Sequence, residues 1–421
     1  MEQWKETPWG IIPSTWKIST VKEETSLVTD YVANGSFASL AENVKYKSVE
    51  DYAILIRLVD YNNNFQGPFV FIDESAYEFL AKSKLYGNEI IISNVGANVG
   101  TVFKCPKLKW KMSLAPNSIM VKFKGNNDFY YYWLKSKFGQ HMLNSIVTGS
   151  AQPKFNKTNF KDLAIPVPPI DEQKRIAAIL SSLDDKIELN RRINCNLEQQ
   201  AQALFKAWFV ENSNPQWING RLSDIASFVG GYSYKGNELV DFSNIGMATI
   251  KNYERSGGFK TDGFKDINPS SKLKSTQYAE LFDILVAHTD LTQNADVIGN
   301  AELLLSFCNY KHIIFSMDLV KVLPNKKFPY RFLLAAMLKN RIFKNHCLGY
   351  VNGTTVLHLS KKALPEYEIT IPTDKEAKMM NDLLSCYYKR MAEILRENDI
   401  LENLRNAILP KLMSGKLKIM I

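Results

Sequence analysis

Mostly apolar positions recur in alternating steps of four and three at Ile176, Leu180, Leu183, Ile187, Asn190, Asn194, Leu197, Ala201, Leu204 and Trp208. That spacing is a heptad seam and predicts a long helix. A second seam follows the same rule at Met380, Leu384, Tyr387, Met391, Ile394, Asn398, Leu401, Arg405, Ile408 and Leu412. The two are copies in one register. Sliding the chain by 204 residues lays Val147 on Val351, Gly149 on Gly353, Ile165 on Ile369, Pro168 on Pro372, Glu172 on Glu376 and Asn194 on Asn398. Weaker echoes upstream match Trp16 with Trp217 and Tyr130 with Tyr330. Two like halves imply a pseudo-twofold axis, which suits a bipartite target.

Each seam spans 33 residues, about 50 Å of helix at about 1.5 Å per residue. Such helices pack on separate cores or on each other. A shared polar layer favours mutual packing, since an antiparallel pair sets Asn190 opposite Asn398, and a buried Asn pair fixes register at a cost in stability. Asp171 is the expected N-cap of the first helix, and Thr373 with Glu376 forms a capping box for the second. Pro215 closes the first helical region and Pro410 ends or kinks the second.

Between the seams the pattern changes. Alternating or apolar runs at 53–59, 89–93, 118–123, 283–287 and 318–322 read as strands, and helical spacing at 128–138 and 329–344 reads as short helices whose aromatics belong to the core. The expected fold class is therefore α+β, with two similar mixed α/β domains separated by a two-helix antiparallel coiled coil. Expected bounds are 1–170, 171–212, 213–372 and 373–421.

Composition adds a polyanion as a candidate partner. The net charge is +9, and the basic excess is four in each half, 19 Lys/Arg against 15 Asp/Glu before residue 166 and 18 against 14 over 216–372. Residues 90–127 carry six lysines and no acid, and 303–365 carry ten basic residues against Asp318 alone. One-sign stretches neutralise phosphates; a solvated lysine face is the other account of them. In each half a strand runs into a polar loop, Ser93, Asn94 and Asn98 in the first and His288, Thr289, Gln293 and Asn294 in the second. Amide side chains pair with adenine and lysines with guanine. Ordinary hairpins have the same composition. With Lys104, Lys107, Lys109, Lys111, Lys154 and Lys311, these are the candidate DNA-contacting residues.

Several chemistries lack their motifs. There is no phosphate-cradling Gly-x-x-x-x-Gly-Lys-Ser/Thr or Gly-x-Gly-x-x-Gly, and the VPPI of 167–170 lacks the amide and aromatic ring of an amino-methyltransferase motif. A lone Glu172-x-Lys174 is better read as a helix first turn than as a nuclease site. Five scattered cysteines without CxxC, and histidines without HxxxH, point to reduced thiols and no metal. Without a signal-like start or a membrane-length apolar run, a cytoplasmic location is expected. No catalytic residue is assigned.

The chain resembles the specificity subunit of type I restriction-modification systems. The resemblance rests on IPVPPIDEQKRIAAILSSLDDKIELNRRINCNLEQQAQALFKAWF at 165–209, NEIIISNVGANVGTV at 88–102, FDILVAHTDLTQNADVIGNAELL at 282–304 and AILPKLMSGKL at 407–417. One departure is Ala377, which stands where the first junction has Gln173. The resemblance implies two target recognition domains, each reading half of a split, asymmetric site in double-stranded DNA, with the helices setting the gap. It further implies docking to two modification subunits, which bring S-adenosylmethionine and methylate adenine, and through them to restriction subunits that use ATP and Mg2+. No cofactor is expected on this chain itself. Adaptors that bind only proteins, and detached fragments of a fused DNA enzyme, are the rival classes.

Overall fold

The computed structural model describes residues 3–212, 214–255 and 257–417. The expected domain limits at residues 1, 213 and 421 lie outside these. The chain divides into two compact units: Met1–Asp185 with Glu402–Ile421, and Lys186–Leu401. Each is built from the same parts.

In the first unit an antiparallel sheet runs in the order 25–30, 118–123, 90–93, 102–104, and a second sheet in the order 70–72, 53–56, 111–114, 84–85. The two middle strands of the second sheet, 53–56 and 111–114, are parallel. In the second unit the corresponding orders are 226–230, 319–324, 284–287, 301–303 and 265–266, 245–248, 312–315, 278–279. Here too the middle pair, 245–248 with 312–315, is parallel. All four side chains are buried in strands 53–56, 90–93 and 284–287. Continuous apolar runs of this kind belong to strands covered on both faces.

The expected short helices are each divided. Asn127–Lys135 and Lys137–Ser145 meet at Ser136, whose hydroxyl accepts from Gly139 N at 3.3 Å. Arg331–Leu338 and Arg341–Leu348 are likewise separated by the cap Asn340, which accepts from Phe343 N at 2.9 Å. A short polar side chain bonding forward to the backbone ends one helix and starts another, which spacing alone does not reveal. The run 53–59 also stops early as a strand. Arg57 turns it into the helix Leu58–Asn62, gripping buried Asp60 at 2.7 Å.

The central helix spans Ile170–Lys206 and continues into one π-turn, Ala207–Glu211. It begins before the cap expected at Asp171, which lies in its first turn. The Pro169 carbonyl takes the early amides, accepting from Gln173 N at 3.0 Å. The C-terminal helix spans Asp374–Met413 and passes through Pro410 without ending there. Thr373 accepts from Glu376 N at 3.4 Å, as its box requires.

The two helices run antiparallel. In the first unit Arg405 donates to Asp184 at 2.6 Å, and Ile176, Leu180, Leu412 and Met413 share one core. In the second unit Asn190 donates to Asn398 at 2.8 Å and to Glu397 at 2.9 Å, and Asn194 donates to the Met391 carbonyl at 3.3 Å. Partner numbers fall on one helix as they rise on the other. Ile187, Ala201, Met380, Leu384, Met391 and Ile394 are buried along this seam, while Leu183, Leu197, Leu204, Leu401 and Ile408 are half-buried. One seam position departs from expectation: Tyr388 is buried, whereas Tyr387 is only half-buried. The cause is the second unit's own core, where the Tyr388 ring stacks on Phe332. Beside it Lys339 bridges Glu302 at 2.5 Å and Glu198 at 3.0 Å.

Replacing both partners of a buried hydrogen-bonded pair by packed apolar groups is nearly neutral or stabilising, and a polar residue at such a seam position costs stability. Asn190→Leu with Asn398→Leu is therefore expected to raise Tm by several degrees, and Asn398→Leu alone to lower it, because the buried Asn190 amide loses one of its two partners and faces an apolar side chain. Thermal denaturation of the three chains checks this, and a double variant no more stable than the native chain would contradict it.

Candidate nucleic-acid interface

The strands that carry the candidate loops leave their sheets through one repeated backbone staple. In the first unit Asn94 N donates to the Asn117 carbonyl at 3.1 Å, and the Asn94 carbonyl accepts from Phe155 N at 3.1 Å. In the second unit His288 N donates to the Asp318 carbonyl at 2.7 Å, and the His288 carbonyl accepts from Leu359 N at 2.8 Å. The return of each loop matches as well. Gly100 N donates to the Ser93 carbonyl and Gly299 N to the Ala287 carbonyl, both at 2.8 Å.

A glycine hairpin closes each staple. Thr148 and Lys154 pair their backbones on one side, with Lys154 also bridged to Val95. On the other, 351–352 pairs with 357–359, and His358 faces Thr289. Gly353 has φ +111°, and a Cβ there would lie 2.2 Å from the Val356 carbonyl oxygen. Only glycine fits that turn. Gly149, its partner in the repeat, has φ +87°.

The candidate side chains sort by burial. Ser93 and Thr289 are buried, and Thr289 donates to Asp318 at 3.0 Å, so both shape their loops from within. Asn94 donates to the Phe155 carbonyl at 3.1 Å and keeps a buried Oδ1 without a partner in the described chain. Asn98, Lys107, Lys154, Asn294 and Lys311 are exposed. Gln293 is exposed and reaches the Thr354 carbonyl at 2.6 Å. His288 is half-buried, and burial, with His358 and Lys361 nearby, lowers its pKa.

The lysine stretch of 90–127 does not form one patch. Lys104 pairs with Asp128 at 2.9 Å and lies over the Tyr131 ring, while Lys109 meets Glu50 at 3.3 Å and Lys111 bonds the Tyr52 hydroxyl. Lys122 reaches buried Glu89 at 3.2 Å. Acids distant in sequence have been brought to them. In the second stretch Lys321 is buried against Asp283 at 3.2 Å and Lys339 lies in the core. The structure thus narrows the basic candidates to lysines at the staples and loop edges.

Sequence reasoning missed three groups. His358 lies 204 residues after Lys154 and occupies the same place in its hairpin, so the repeat itself pointed to it. Asn117 and Asp318 supply the carbonyls of the two staples, and Arg57, Tyr46 and Phe37 line concavities beside the first. No spacing rule marks those.

A repeated Trp–Glu bond ties each staple-bearing domain to its helix. Trp16 donates to Glu172 at 3.0 Å, and Trp217 donates to Glu376 at 2.8 Å. Glu376 also receives Asn214 at 3.0 Å and the Thr373 hydroxyl at 2.5 Å. Among the described residues there is no cluster of His, Cys, Asp and Glu that could hold a metal, and no helix is long and apolar enough to cross a membrane.

Comparison with known proteins agrees with this architecture. The family model for the type I restriction modification DNA specificity domain matches residues 13–199. The MjaIX type I restriction enzyme specificity subunit of Methanocaldococcus jannaschii is 23% identical over 441 aligned residues, covering 99% of this chain and 97% of that one. The HindI specificity subunit of Haemophilus influenzae is 48% identical over 129 residues, 31% of this chain and 27% of that one. The crystal structure of the S subunit from M. genitalium covers 96% of this chain and 97% of its own with a TM-score of 0.51 at 16% identity, a likeness of fold. Over nearly its whole length the chain is similar to type I restriction-modification specificity subunits, and residues 13–199 match the model of their DNA specificity domain.

Hydrogen bonds from Thr373, Asn214 and Trp217 hold the Glu376 carboxyl down to about 2, below its ordinary 4.5. A depressed carboxylate stabilises the fold above the unfolded pKa, and that contribution fades as pH falls through the folded one. The stability gap between the native chain and Glu376→Gln is expected to be full at pH 6 and to shrink from about pH 4.5 toward 2. Denaturant titrations across that range check it; a gap that stays constant would refute the assignment.

Proposed function

We propose that each unit presents its stapled loops to one half of a split, asymmetric site in double-stranded DNA, and that the paired helices set the spacer between the halves. The observation that carries this reading is the staple itself, one backbone device built twice and bearing different side chains each time. Exposed Lys107, Lys154 and Lys311 supply phosphate contacts, and the exposed amides of Asn98 and Asn294, with the carbonyl that Gln293 keeps after donating to Thr354, meet base edges. The net charge of +9 favours the encounter.

In this reading the chain is non-catalytic. It docks two modification subunits, which carry S-adenosylmethionine and methylate adenine, and through them restriction subunits that use ATP and Mg2+. Adenine must leave the stack to be methylated, so the chain holds the duplex while its partner turns the base out. A protein-only adaptor would share the helices but would show no salt-dependent affinity for duplex DNA.

Methylome sequencing of cells expressing the chain with its modification subunit is expected to reveal a bipartite adenine-methylated site. Exchanging residues 1–165 for those of another family member changes one half of that site; a change in both halves, or in neither, would falsify modular reading. Deleting one heptad from each helix removes about 10 Å and shortens the spacer by roughly three base pairs with both half-sites intact. Altered half-site bases in that variant would argue against a ruler.

A further inference from the structure

Beside the first staple lies a cavity of about 610 Å3, whose wall includes Asn94, Val95 and Asn117 from the staple itself. Its other walls include the rings of Tyr31, Phe37 and Tyr46 and the side chain of Leu40, with Asp30 and Lys45 as its charged groups. Two of these rings are costly as they stand: Phe37 is 81% exposed and Tyr46 is 56% exposed. Large exposed aromatics beside a concave surface mark a place where another flat group stacks.

Both charged groups are already engaged, Asp30 by Lys157 at 2.8 Å and Lys45 by the Ala41 carbonyl at 2.5 Å. The Tyr31 and Tyr46 hydroxyls bond each other. Asn117 sits exposed at the turn with φ +65°, and its amide has no partner among the described residues. An amide offers a donor and an acceptor side by side, which matches the edge of a heterocycle carrying the same pair. Apolar walls with a small number of placed polar groups are the usual make-up of a small-ligand site, and cavities of this volume are typical of them.

We propose that this cavity binds a single nucleobase, stacked against Phe37 and Tyr46 and read along its edge by the Asn117 amide. The base is either free, as a nucleoside, or turned out of the duplex that the adjacent loop engages. Only the second source rests on the DNA-reading role proposed above. It is a base other than the methylated adenine, because the cavity belongs to this chain and not to a modification subunit.

The test uses the full chain and 2-aminopurine. Its riboside, titrated alone, is expected to bind saturably to the native chain and at least tenfold more weakly to Phe37→Ala and Asn117→Ala. Phe242→Ala, which removes an equally exposed ring from the second unit, serves as the control and leaves binding unchanged. In the second arm the analogue replaces each base of the first half-site in turn, and extrusion is read as a rise in emission at one position, lost in Phe37→Ala while the duplex stays bound. Signal in either arm supports the site and identifies its source. Absence of both signals while duplex affinity remains, or equal competition by naphthalene, overturns it. Absence of duplex affinity altogether would instead sink the DNA-reading role.

Discussion

Both halves of this chain hang on a carboxylate placed in the first turn of a long helix. Glu172 and Glu376 stand where unpaired amides and the helix dipole favour negative charge, and each accepts an indole N–H from a tryptophan that comes early in its domain. That bond is one end of a rigid path. Alongside it the ladder of 17–20 with 164–167, and that of 218–221 with 368–371, lead the backbone directly into the helix. Within each unit the staple is therefore referenced to the helix through sheet and hydrogen bonds and not through a free linker.

The repeat survives because it preserves interactions and not residues. Gln173 is buried in the first unit, accepting from Asn126 N at 2.9 Å and donating to the Pro168 carbonyl at 2.9 Å. Ala377 occupies its place in the second unit and can do neither. There Asn381, one turn further along the helix, accepts from Phe332 N at 3.0 Å and so covers the start of Arg331–Leu338. The free amides at the start of a short helix must be satisfied in both halves, and the long helix satisfies them from two different positions. The departure seen at Ala377 is thus a relocation of one task.

How much could be read from sequence follows from how local each cause is. The seams were legible because a period of 3.5 is written along the chain, and Asn190 and Asn398 announced their pairing by being the wrong residues for an apolar stripe. Strands such as 118–123 were legible for the same reason. Tyr388 was not, since its burial comes from Phe332, which is far away in sequence. The lysine stretches misled for a related reason. A run without acids looks like a basic patch until folding brings Glu50, Glu89 and Asp128 to Lys109, Lys122 and Lys104. The staples lay hidden because they are made of backbone groups, which every residue possesses.

That last property also lets one scaffold carry two different sets of side chains. Main-chain bonds hold positions 94 and 288 in the same way whatever side chain stands there, and Asn94 adds to them its own bond to the Phe155 carbonyl. The first unit places an amide at 94, an amide at 117 and an ammonium at 154; the second places an imidazole at 288, a carboxylate at 318 and an imidazole at 358. Lysine only donates and a carboxylate only accepts, whereas a neutral imidazole does one of each. Burial, with His358 and Lys361 nearby, lowers the pKa of His288 and so favours its neutral form. The two staples therefore carry different donor and acceptor patterns on the same backbone geometry, so the repeat of the scaffold does not extend to its chemistry.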